Sequence, residues 1–65
     1  MKAIPIDVYD SMGNLTKIEF VSGEGDHIID AQWDDSEEQT SENRIKFREW
    51  AYNHVSLNLN YEVDR

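Results

Sequence analysis

Apolar and polar positions alternate three times in the first half of this chain and once at its end, with one helical repeat between them. Over residues 3–10, Ile4, Ile6 and Val8 fall on one face while Pro5, Asp7 and Tyr9 fall on the other, the period-2 signature of a half-buried strand. Pro5 has no N–H to give to a ladder, so this strand lies at a sheet edge or begins near that residue. Ser11-Met12-Gly13-Asn14 supplies turn chemistry, because Gly13 and Asn14 both tolerate positive φ. A second strand follows over Leu15 to Ser22, with Thr16, Ile18 and Phe20 on one face and Leu15, Lys17, Glu19 and Val21 on the other, completing a hairpin.

Gly23-Glu24-Gly25-Asp26 reads as a flexible turn and not as a phosphate cradle, since a cradle needs a following helix N-terminus and usually a lysine. His27 to Trp33 reads as a third strand, with His27, Ile29, Ala31 and Trp33 inward and Asp26, Ile28, Asp30, Gln32 and Asp34 outward. At the ordinary rise of a strand, Asp26, Asp30 and Asp34 would stand in a row about 13 Å apart from neighbour to neighbour. Residues 34–40 are polar throughout, and two helix starts compete there. Ser36 with Gln39 fits a capping box, whereas a start near Ser41 keeps Thr40, Asn43 and Arg44 from leading the core stripe. The later start is preferred, which leaves the acidic stretch as a loop.

From Ser41 to about Val55 the spacing is helical: Phe47, Trp50, Ala51 and His54 recur at i, i+3, i+4 and i+7 and define the expected core face. Glu42 and Lys46 form a favourably oriented i,i+4 pair. Ile45 and Tyr52 fall about 160° and 140° from Phe47 and would be exposed. Leu57, Leu59, Tyr61 and Val63 then alternate with polar residues, the clearest strand signal in the chain. The expected fold is α+β in the order β-β-β-α-β, a small three- to four-stranded antiparallel or mixed sheet with one amphipathic helix across one face.

Charge changes this picture most. Between Ile18 and Asn43 stand nine acids and no lysine or arginine, and the 65-residue chain carries a formal charge of −8. Such a surface disfavours nucleic acid or anionic membrane as a direct partner, because both are held by clustered cations, and it favours a basic partner. The residues that would meet that partner are Glu24, Asp26, Asp30, Asp34, Asp35, Glu37, Glu38 and Glu42. Length allows one domain, residues 1–65, with a thin core, and without cysteine there is no disulfide to reinforce it. Seven aromatic side chains must supply the packing. Neither a secretory leader nor a bilayer-length apolar run is visible, so the chain is expected in the cytoplasm.

Chemistry is harder to find. Asp34-Asp35 and Glu37-Glu38 lack the apolar surroundings that separate the pKa values of a catalytic pair. The acidic loop has neither the ligand spacing nor the central glycine of a helix-loop-helix calcium site. His27 and His54 are both expected in the core and come without the further ligands of a zinc site. The cations of Arg44-Ile45-Lys46-Phe47-Arg48 disperse around a helix. No enzyme activity, cofactor or metal is therefore expected.

In size, charge and hairpin-plus-helix order the chain resembles the small acidic inhibitors encoded by bacteriophages, including anti-CRISPR proteins that occupy the DNA or RNA path of a host effector. The resemblance implies a non-enzymatic inhibitor acting in the host-cell cytoplasm, with a carboxylate strip against a nucleic-acid-binding surface. Such mimicry would be of potential and not of geometry: DNA carries about one charge per 1.7 Å, while same-face carboxylates on a strand stand no closer than about 6.6 Å. The alternative is an antitoxin-like or adaptor module that docks through Ile45 and Tyr52, as monomer or homodimer.

Overall fold

The computed structural model describes Met1–Arg65 as β1 (Lys2–Tyr9), β2 (Leu15–Ser22), β3 (His27–Gln32), α1 (Ser41–Asn58) and β4 (Glu62–Val63). The β1–β2 hairpin closes on Asp10, whose carboxylate accepts the backbone N–H groups of Met12 and Asn14 at 2.9 Å each while Gly13 takes φ 82°. A side-chain acceptor thus replaces the missing ladder partners of a tight turn, and glycine supplies the left-handed residue. The second turn repeats the device: the Ser22 hydroxyl accepts the Asp26 N–H at 3.1 Å, and Gly25 takes φ 89°.

The four strands form one mixed sheet in the order β3-β2-β1-β4, antiparallel except for the parallel β1–β4 pair. This is the expected α+β arrangement, with β3 beside the hairpin. Helix α1 lies on the face that carries Ala3 of β1 and Ile18 and Phe20 of β2. These three and Ala51 and Val55 of the helix are all but fully buried and make the core. Paired small residues, Ala3 and Ala51, let the helix approach the sheet closely, and Phe20 fills the space between them and Tyr52, whose ring meets it edge-on at 6.1 Å.

Several expectations change. The long alternating run at the end is not a strand over its length: α1 continues to Asn58, Leu57 is 80% exposed, and only Glu62–Val63 pairs with β1. The helix stops where Asn60 takes φ 59° and the Leu59 N–H returns to the Val55 carbonyl. Pro5 limits the pairing from the other side. On this edge Glu62 and Asp64 donate to Met1 and Ala3, so the next donor due from β1 is residue 5, which has none. Pro5 therefore marks the end of the pairing along this edge of β1, a strand that is interior in sheet order.

The helix also covers the opposite face of β1 from the one its apolar residues suggest. Asp7 looks toward α1, where its carboxylate accepts from Arg48 at 2.8 Å, and Ile4, Ile6 and Val8 lie on the uncovered face. The helix itself is rotated by about 70° from the expected face. Ala51 and Val55 are central, Trp50 is 56% exposed, and Tyr52 is half-buried against Phe20, not free on the outer side. His54 stacks on Trp50 at the rim with 5.5 Å between ring centroids, outside the core. His27 is exposed, because a bulge between the pairs Phe20↔Ile29 and Val21↔His27 turns it to the uncovered face.

Candidate functional site: the acidic loop and its aromatic flank

The loop between β3 and α1 is held by hydrogen bonds that leave most of its carboxylates free. Gln39 acts as a strand substitute: its amide donates to the Leu15 carbonyl at 2.8 Å and accepts the Leu15 N–H at 3.1 Å. Arg44 donates to the Gln39 carbonyl at 2.9 Å, so the first helical turn secures the same residue. Trp33, only 8% exposed, donates its indole N–H to the Glu37 carbonyl at 3.2 Å and sets its ring edge-on to Phe47 at 5.1 Å. The helix starts at Ser41 as expected, but the capping residue is Thr40, whose hydroxyl accepts the Asn43 N–H at 3.1 Å.

Within this frame Asp34 has a structural task. Its carboxylate accepts the Ser36 hydroxyl at 2.7 Å and the Ser36 N–H at 3.0 Å, and these bonds hold it below the usual carboxylate range. Asp35, Glu37 and Glu38 are exposed side chains with no cation partner. Asp10, from the β1–β2 turn, joins Asp35 and Glu37 around one shallow recess, so two loops build a single acidic pole. Sequence reading missed Asp10, although the Asp-Ser-Met-Gly-Asn turn marks it as a side chain fixed beside the backbone. The carboxylates are spread out: nowhere do three His, Asp or Glu side chains converge closely enough to hold a metal ion.

The remaining acids do not join that pole. Glu24 and Asp26 sit in the β2–β3 turn, at the other end of the six-residue strand β3, about 20 Å away. Asp30 lies between, on the uncovered face, where Lys17 at 3.2 Å neutralises it and a 3.0 Å hydrogen bond to His27, with Lys17 second, holds it below its ordinary value. The row Asp26-Asp30-Asp34 is thus not formed. The bulge changes the parity of β3, so Asp26 and Asp30 leave on opposite faces, and Asp34 lies beyond the strand. Glu42 is on the first helical turn, paired with Lys46 at 3.3 Å.

Beside the acidic loop a groove of about 410 Å³ opens between the end of β3 and the flank of α1, with Trp33, Phe47 and Trp50 as its apolar wall and Asp34 and Glu37 at its rim. Of the two alternative anchors, Ile45 is 59% exposed and Tyr52 is taken up by Phe20 and by the Arg65 guanidinium 5.0 Å from its ring centre. No helix is long and apolar enough to cross a membrane. No protein-family model, no curated protein and no solved structure matches the chain.

Proposed function

We propose that this chain is a non-enzymatic binding protein that sets its acidic pole against a basic surface of another protein. The observation that carries this reading is the distribution of cations. Of the eight acids singled out by sequence, Asp30 and Glu42 have ion-pair partners, and the other six, Glu24, Asp26, Asp34, Asp35, Glu37 and Glu38, have none. The remaining lysine and arginine ion pairs serve Asp7 and Glu49, and Arg44, whose guanidinium reaches the loop, spends its hydrogen bonds on Gln39 and pairs with no carboxylate. Because Gln39 and Trp33 already fix the loop backbone, binding must order only the side chains of its free carboxylates, which favours a complementary positive surface.

A nucleic-acid-binding groove is the basic surface to which the resemblance with phage-encoded inhibitors directs this reading, and occupying it would block the host effector that owns it. The test uses Asp35→Asn, Glu37→Gln and Glu38→Gln together, since none of these side chains makes a hydrogen bond that the fold needs. A host protein captured by the parent chain at low salt should be lost at moderate salt and lost in the triple variant, and its nucleic-acid binding should be relieved in step. Capture that is indifferent to both salt and the triple variant would remove the reading. It would promote the rival, an adaptor docking through the Ile45 and Tyr52 face of the helix, where Ile45 is 59% exposed.

A further inference from the structure

The groove beside the acidic loop has a backbone wall as well as an aromatic one. Strand β3 is one of the two edge strands of the sheet. Trp33 donates its N–H to the Thr16 carbonyl at 2.9 Å, and antiparallel alternation then turns the N–H and C=O of Ala31 and Ile29 toward β2 as well. Those of Asp30 and Gln32 consequently point outward along an unpaired edge. Such an edge is a template for a further strand.

Across the groove from Gln32, at the end of this edge, stands the flank of α1. Phe47 and Trp50 stack with 6.2 Å between ring centroids, and Trp50 and His54 with 5.5 Å, so the exposed indole is held in place before any partner arrives. Leu57 continues the row one turn on and is 80% exposed. A strand added to β3 would direct every second side chain over this flank at intervals of about 6.6 Å, close to the roughly 5.4 Å pitch that separates successive helix turns. The rim is acidic through Asp34 and Glu37, and Lys46, which also lines the groove, is already neutralised by Glu42.

Charge decides what can fill the site. Pairing of two copies through β3 would bring Asp34 and Glu37 of both chains toward one edge in molecules of charge −8, which opposes self-association there. We propose that the edge of β3 and the Trp50 flank of α1 accept an extended segment of a partner protein as an added strand, with lysine or arginine alternating with apolar or aromatic side chains. The inference deepens the function proposed above and rests on it for the partner's charge alone.

Three synthetic decapeptides test it against the whole, isotopically labelled chain: one alternating lysine with valine and phenylalanine, the same peptide N-methylated at alternate amides, and a third with glutamate for every lysine. The lysine peptide should shift the amide signals of Asp30 and Gln32 and the Trp50 indole signal. It should bind about tenfold or more tightly than the N-methylated control, the scale of one or two lost hydrogen bonds, and more tightly than the glutamate control, which the Asp34 and Glu37 rim repels. Trp50→Ala and, separately, Gln32→Pro, which removes an outward donor without touching the β2 ladder, should each weaken it severalfold with the β1 and β2 signals unmoved. Equal binding of the N-methylated peptide, or no shift at Asp30 and Gln32 with any peptide, overturns strand addition and leaves the carboxylate reading intact. Equal binding of the glutamate peptide with those shifts present upholds strand addition and overturns the basic partner.

Discussion

Single side chains decide how the acidic loop is presented, and Gln39 is foremost among them. Its amide satisfies both backbone groups of Leu15, a residue only 1% exposed and 24 positions away in sequence. Removing the amide strands a donor and an acceptor in a part-buried place, which costs about 1–3 kcal/mol for each group left unsatisfied. Gln39→Ala is therefore expected to destabilise the chain by about 2 kcal/mol in urea unfolding and to loosen Trp33, seen as a red shift of its fluorescence, with Gln39→Glu intermediate. A Gln39→Ala chain as stable as the parent would deny the residue this role. The sequence marks Gln39 only as a capping-box partner of Ser36, because a side chain that serves a strand so far away leaves no periodic trace. Trp33 was legible by contrast: it ends an alternating run on the inward parity, and it is buried. Asp10 and Asp34 show the reverse hazard, since each reads as one more solvated acid and each is engaged by turn N–H groups.

At the level of elements, the hairpin, the third strand and the helix start were legible, and the end of the helix was not. The residues from Leu57 to Val63 alternate perfectly, yet the core stripe of α1 runs through Ala51 and Val55 and draws the helix on through another turn. Alternation wins only where a sheet edge can accept it, and Pro5 closes that edge after two residues. The face of α1 was misjudged for a related reason. Arg44 and Arg48 share the stripe with Ala51 and Val55 and lay their stems along it while their heads reach the Gln39 carbonyl and Asp7. Counting arginine as surface and tryptophan as core turned the expected face away from the real one. The helix end rests on Asn60, whose positive φ suits asparagine or glycine. Asn60→Val should cost about 1–2 kcal/mol in urea unfolding and release the β4 amide bonds to fast hydrogen exchange, whereas Asn60→Gly should leave both nearly as they are. An Asn60→Val chain with unchanged exchange at Glu62 and Asp64 would show that β4 docks independently of the helix end.

For the whole molecule the question is how a thin core tolerates so much negative charge. Seven buried residues hold 65 together, and five ion pairs, all at least partly exposed, contribute little each. What protects the fold is that the most engaged carboxylates carry hydrogen bonds as well as charge. Asp10 is held below its ordinary value by turn N–H groups, Asp30 by His27 and Lys17, and Asp34 by Ser36. In the unfolded chain each returns to about 3.9, so between that value and the depressed ones the unfolded state binds more protons than the native state. The stabilisation is complete above the unfolded value and is lost as pH falls through the folded ones. Thermal unfolding followed from pH 7 to pH 2.5 should accordingly show a midpoint that falls below about pH 4. In Asp34→Asn the fall should be shallower, with the midpoint near neutrality already lowered by the loss of a charged acceptor for Ser36. These three carboxylates, like Asp7 with its bonds from Arg48, are ones the fold uses, and Asp35, Glu37 and Glu38 are ones it does not. Neutralising the second set should leave the acid limb where it was. That contrast separates the charge that builds the molecule from the charge left free for a partner.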